Sequence, residues 1–170
     1  MRPLILILAC VFSLGLFAQE KNKIIVDDEL NKKVLIGPCD REGLESEVFN
    51  EYYKKEYEAY TTDSAVIQKL RDMKKGVEIV VVMASWCHDS KEQVPRFYKI
   101  VDEAGIRDSK ITLISVDRAK TAGDMDIADL DIQRVPTFIF YKKGRDIGRI
   151  VESPTSLLEK DMLLILTMGS

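Results

Sequence analysis

The sequence predicts an α/β domain in which a mixed sheet is covered by helices, and three patterns carry that expectation. The run Val77-Glu78-Ile79-Val80-Val81-Val82-Met83 is β-branched and nearly continuous, the composition of a strand buried on both faces of a parallel sheet. A helical stretch follows it, and then a second β-branched run, Ile111 to Val116, giving strand–helix–strand. Thr137 to Lys142 and Asp146 to Val151 flank Lys143-Gly144, which reads as an antiparallel hairpin.

Taken from the N-terminus, the chain opens as a secretory signal. Arg2 is its positive start, Leu4 to Phe17 its apolar run, and Ala18 the small residue after which cleavage is expected. The run is shorter than the ~20 residues that span a bilayer. Ile7-Leu8-Ala9-Cys10 offers an alternative, a lipoprotein box with Cys10 lipidated. Residues 19–32 are polar and read as a mobile lead-in. Residues 33–76 read as a mainly helical N-terminal extension packed on the domain. Within it, Lys33 to Ile36 is a short strand stopped by Gly37-Pro38. From Leu44, apolar and aromatic residues recur at three- and four-residue spacing through Val48, Phe49, Tyr52, Tyr53, Tyr57 and Tyr60, which predicts a helix packed on the sheet. Thr61 to Ser64 supplies caps for a second helix with Val66, Ile67, Leu70 and Met73 on its inner stripe.

Past the strand at Val77, Ala84 to Ser90 is a turn, and a helix runs on to about Ala104 with Pro95 inside it and Gly105 after it. Thr121 to Leu130 reads as a short helix and loop. Pro154-Thr155 opens a last helix with Leu157, Leu158, Met162, Leu163 and Ile165 on its apolar face.

Composition excludes several functions. With 25 Lys+Arg against 28 Asp+Glu, the chain has no basic excess for a nucleic-acid partner. Its single histidine, His88, excludes sites that need two. The neighbours Cys87, His88 and Asp89 do not converge on one ion without distant ligands, so neither a metal nor another cofactor is expected. Three cysteines are too few for a disulfide scaffold, and removal of the signal leaves Cys39 and Cys87.

Cys87 is the residue with chemical promise. It follows a buried strand and opens a helix, where unpaired backbone N–H groups favour a thiolate. His88 would assist when protonated, Asp89 would oppose, and Ser90 could donate its hydroxyl to the sulfur. Trp86 supplies an apolar wall. The other reading is a buried structural cysteine.

These residues resemble the thioredoxin superfamily. Trp86-Cys87-His88-Asp89-Ser90 is similar to W-C-x-x-C with Ser90 in place of the second cysteine. Pro95 matches the proline that kinks the active-site helix, and Val135-Pro136-Thr137 matches the cis-proline strand that leads into the hairpin. The resemblance implies a thioredoxin-like three-layer sandwich over residues 77–170, with Cys87 as attacking thiol. It also implies a cis Pro136 facing the thiol, and substrate contacts from Trp86, His88, Val135 and Thr137. Sequence alone would favour a trans Pro136 starting an edge strand. Departures are Ser90, Val81 and Leu113 in place of a buried acid and its lysine, and Glu152 in place of a glycine flanking the peptide groove. With Ser90 unable to resolve a mixed disulfide, release falls to an external thiol or, as a second route, to Cys39, whose other reading is a buried or idle cysteine. The function expected is monothiol thiol–disulfide exchange in the periplasm, isomerase-like or deglutathionylation-like. The alternative is a non-catalytic peptide-binding module of the cell envelope. Partners would be protein or small-molecule thiols and disulfides, with the membrane involved only through lipidation or an uncleaved signal.

Overall fold

The computed structural model describes residues 20–169. The expected signal segment and Cys10 lie outside them. Among the described residues no helix is long and apolar enough to cross a membrane.

Six strands form one sheet: β1 (Lys23–Asp27), β2 (Lys32–Cys39), β3 (Val77–Met83), β4 (Ile111–Ser115), β5 (Thr137–Lys142) and β6 (Arg145–Val151), in the order β1-β2-β4-β3-β5-β6. Only β3 and β4 are parallel; the other neighbours are antiparallel. The helices are α1 (Arg41–Leu44), α2 (Asn50–Ala59), α3 (Ser64–Met73), α4 (His88–Ala104) and α5 (Leu158–Met168).

The β3–α4–β4 unit explains the main core. Side chains alternate across a strand, so Val77, Ile79, Val81 and Met83 of β3 enter one cluster with Phe97 and Val101 of α4, Phe138 and Phe140 of β5, and Leu158, Met162 and Leu166 of α5. On the opposite face Val82, Ala84, Ile114, Val116, Ala122 and Val135 form a smaller cluster. Met125, Ile127, Leu130 and Ile132 of the β4–β5 connection pack onto it. Three layers result: helices, sheet, and this connection with its 3₁₀ turn at Ala128–Leu130. The β5–β6 hairpin turns at Lys143 (φ 53°) and Gly144 (φ 73°), the pair of positive φ angles a two-residue loop requires.

The N-terminal expectations need correction. The lead-in at 19–32 contains β1, an edge strand antiparallel to β2. The segment 33–76 is more than an extension, because β2 lies inside the sheet between β1 and β4. Gly37-Pro38 does not stop β2. Gly37 takes φ 80°, Pro38 pairs with Ile114 without needing an N–H, and its carbonyl accepts from Asn22 N at 2.9 Å. The Tyr-bearing helix α2 packs on α4 rather than on the sheet. Tyr53 meets Tyr98 edge-on at 6.1 Å, and Tyr57 donates to Asp102 at 2.8 Å. β3 is parallel to its neighbour on one side only, and Glu78 is exposed.

The last helix starts at Leu158, not Pro154, and it buries a residue that the apolar stripe omits. Glu159 is fully buried and accepts from Tyr60 Oη at 2.6 Å and from Asp63 N at 2.9 Å. A buried carboxylate is tolerated only with such partners. It ties α5 to the start of α3.

Candidate active site

The turn after β3 is fixed at each residue. Cys87 N donates to Ala84 O at 3.0 Å. Ala84 N donates to Ser90 Oγ at 3.1 Å. Ser85 Oγ accepts from Leu35 N at 3.0 Å, while Ser115 Oγ donates to Leu35 O at 2.8 Å, so two buried hydroxyls satisfy the backbone of β2 beside the turn. Trp86 Nε1 donates to Val116 O at 3.2 Å. The turn therefore delivers Cys87 to the N-cap of α4 as part of a rigid framework.

Cys87 is half-buried, and its Sγ donates to Val135 O at 3.2 Å. The next peptide bond, Val135–Pro136, is cis. Thr137 is buried and its hydroxyl donates to Arg134 O at 2.7 Å, which closes the proline turn from within. Glu152 N donates to Pro136 O at 2.7 Å from the neighbouring strand end. Thiol, cis-proline and Trp86 are thus brought together. His88 is exposed at the start of α4. Thr137, expected to touch substrate, instead holds the turn in place.

Ser90 departs from the expectation of a bond to sulfur. It is fully buried, one turn along α4, and its hydroxyl accepts the Ala84 N–H. Cys39 is likewise no resolving thiol in this arrangement. It sits on β2 in the main core with Val81 and Leu113, whereas Cys87 packs against the other cluster, and both cysteines are free. Burial pushes the Cys39 thiol up to about 12, so it stays protonated near neutrality. Val81 and Leu113 are paired across β3 and β4 and buried, so the interior there is apolar.

Two residues at the rim were not legible as partners. Arg134 Nη1 bonds Glu152 Oε2 at 2.8 Å, bracketing the cis-proline. Glu152 takes φ 60°, a left-handed backbone that glycine adopts without cost. The glycine expected from the resemblance was the one available signal that this position is special.

The thioredoxin family profile matches residues 43–163. The chain belongs to the thioredoxin family. Its fold is the thioredoxin-like sandwich, and the family is one of thiol–disulfide oxidoreductases. Among curated relatives, thioredoxin Asp f 29 of Aspergillus fumigatus is 28% identical over 98 residues, 58% of this chain and 86% of the relative. The thioredoxin of Mus musculus is 33% identical over 86 residues, 49% of this chain and 76% of the relative. The solved thioredoxin of Malassezia sympodialis is 25% identical with a TM-score of 0.39, covering 56% of this chain and 76% of that one. The match begins inside α1, so the family region includes α2 and α3 as well as the β3–α5 portion.

Proposed function

We propose that the protein is an exported thioredoxin-family protein that performs monothiol thiol–disulfide exchange through Cys87. The observation carrying this reading is the placement of Cys87. It is half-buried at the N-cap of α4, in contact with the carbonyl that precedes the cis-proline, while Ser90 is sealed beneath it. In the reaction, the Cys87 thiolate attacks one sulfur of a substrate disulfide. A new S–S bond forms to Cys87 and the second substrate sulfur leaves as a thiolate. Before attack the thiol proton points at Val135 O; its loss to solvent frees that carbonyl for an extended substrate. Trp86 and Val135 flank the bound chain. Release requires attack by a second thiol on the mixed disulfide. Ser90 cannot supply it and Cys39 is buried elsewhere, so an external thiol or another substrate thiol completes the cycle. Attack by a different thiol of the same substrate leaves that substrate with a rearranged disulfide and frees Cys87, which is isomerisation; attack by a small thiol on a glutathionylated Cys87 is deglutathionylation. Export to the periplasm rests on the N-terminal segment alone.

The second reading, a peptide-binding module without turnover, is favoured by the full burial of Ser90. Reactivation of a scrambled-disulfide substrate in a glutathione buffer separates the two. Catalysed reactivation that Cys87→Ser abolishes supports exchange. Equal substrate binding by wild type and Cys87→Ser, with no reactivation by either, supports the binding module.

A further inference from the structure

A concave site lies at the opposite end of β3 from Cys87. Where β3 begins and α4 ends, a cavity of about 310 Å3 opens. Its wall contains five cations, Arg71, Lys74, Lys75, Arg107 and Lys110, and no carboxylate, in a chain whose net charge is -3. Three of the five have structural work. Arg71 Nε donates to Glu103 O at 2.8 Å. Lys74 Nζ donates to Ala104 O at 3.0 Å and Gly105 O at 2.8 Å. Both therefore satisfy carbonyls left unpaired at the end of α4. Lys110 pairs with Glu78 at 3.0 Å on the surface. Lys75 and Arg107 have no such role. Among the described residues neither side chain makes an ion pair or hydrogen bond, and both are exposed.

Like charges gathered around one hollow repel, and among the described residues Glu78, paired with Lys110, is the one carboxylate that meets any of the five. Local folding accounts for Arg71 and Lys74 but not for Lys75 and Arg107 lining the same space. We propose that the cavity binds a phosphate group, of a phosphate or pyrophosphate ligand. Arg107 offers a planar fork that matches two phosphate oxygens, and Lys75 a point charge. Arg71 keeps one guanidinium nitrogen free of the bonds to Glu103 O and Gln68 Oε1, and Lys74 keeps one of its three donors. A monovalent carboxylate would leave most of this charge unmatched, whereas a phosphate presents up to two charges and several acceptor oxygens. The site is independent of the redox reading. It lies at the start of β3 and Cys87 past its end, seven residues of strand that span roughly 23 Å.

The test is calorimetric titration of the full chain with sodium pyrophosphate at low ionic strength. One saturable site is expected. Lys75→Ala and Arg107→Ala should each weaken binding about tenfold, the cost of one charge-assisted hydrogen bond. Both residues are exposed, so circular dichroism should be unchanged. Lys54→Ala/Lys55→Ala on α2 and Cys87→Ser should bind as wild type does. A parallel flotation assay uses vesicles containing anionic phospholipid. Vesicle binding displaced by pyrophosphate and lost in Lys75→Ala/Arg107→Ala supports the site with a lipid headgroup as the phosphate source. Pyrophosphate binding without vesicle binding supports it with a soluble source. Absence of saturable pyrophosphate binding, or equal weakening by the α2 lysine variant, overturns the proposal.

Discussion

Replacement of Ser90 by cysteine puts the account of the active-site turn under direct strain. The Ser90 hydroxyl is fully buried and is the acceptor for Ala84 N–H at 3.1 Å. A thiol is a weak acceptor, so the reduced Ser90→Cys protein should lose roughly 1–3 kcal/mol for the unsatisfied N–H. In a chain of this size that lowers Tm by roughly 2–4 °C per kcal/mol. Ser90→Ala should lose a similar amount, since it too removes the acceptor. Residue 87 caps α4 and residue 90 lies three positions on, ~4.5 Å along the axis, close enough for a disulfide to bridge. Oxidation should therefore close a disulfide between Cys87 and the introduced thiol. The four-residue loop restores roughly 2 kcal/mol in the chain-entropy account, bringing the oxidised variant back toward wild type. Thermal melts of wild type, Ser90→Ala and Ser90→Cys, with and without reductant and with thiols counted, read all of this. With dithiol as electron source, the oxidised variant should also reduce a protein disulfide, slowly because Val81 and Leu113 leave no acid behind the thiol. No disulfide in oxidised Ser90→Cys refutes the thioredoxin-type geometry of the turn. A Ser90→Ala protein that melts with wild type refutes the role given to the Ala84 bond.

Glu159→Gln replaces two charge-assisted bonds by neutral ones, the amide oxygen accepting from Asp63 N and the amide N–H donating to Tyr60 Oη, and should destabilise by roughly 1 kcal/mol in urea unfolding, with Cys87 chemistry unchanged. Alkaline conditions should weaken the fold. Cys39 is raised from 9.0 to about 12 by burial, so its contribution is complete below pH 9 and lost as pH rises through 12. Tyr57, raised from 10.0 to about 12 by burial and by its bond to Asp102, acts in the same direction. Urea midpoints between pH 8 and 11 should fall more steeply for wild type than for Cys39→Ala; parallel curves would contradict this. Glu152 at φ 60° is strained, and its exposed pair with Arg134 offsets part of that strain. In an Arg134→Ala background, Glu152→Gly should therefore stabilise by about 1 kcal/mol, and a lowered Tm there would show that the backbone is not strained.

What the sequence revealed and what it hid follow from how local each signal is. β3, α4 and the β5–β6 hairpin were legible because a continuous β-branched run, a capped helix and a two-residue turn are specified by neighbours in sequence. Cys87 and Pro136 stood out because short motifs with fixed spacing surround them. β1 stayed hidden although Ile24-Ile25-Val26 is β-branched: the run is three residues long, lies between polar stretches, and as an edge strand leaves Ile24 and Val26 exposed, so no burial pattern marks it. β2 was cut short because Gly37-Pro38 normally ends a strand, and only the pairing of Pro38 with Ile114 and Asn22 accommodates it. The seat of Ser90 depended on Ala84, six residues earlier and across the turn. The burial of Glu159 depended on Tyr60, 99 positions away. No periodicity records either contact. The separation of Cys39 from Cys87 is likewise a matter of opposite sheet faces.

The claim at the centre of this account is that Cys87 reacts alone. Intact-mass analysis of the native protein after exposure to oxidised glutathione, with peptide mapping of both cysteines, tests it most directly. The account predicts one glutathione per chain, on Cys87, stable until an external thiol is added, with Cys39 unmodified until the protein is unfolded. A Cys39–Cys87 disulfide under these conditions, or no adduct on Cys87, would contradict it.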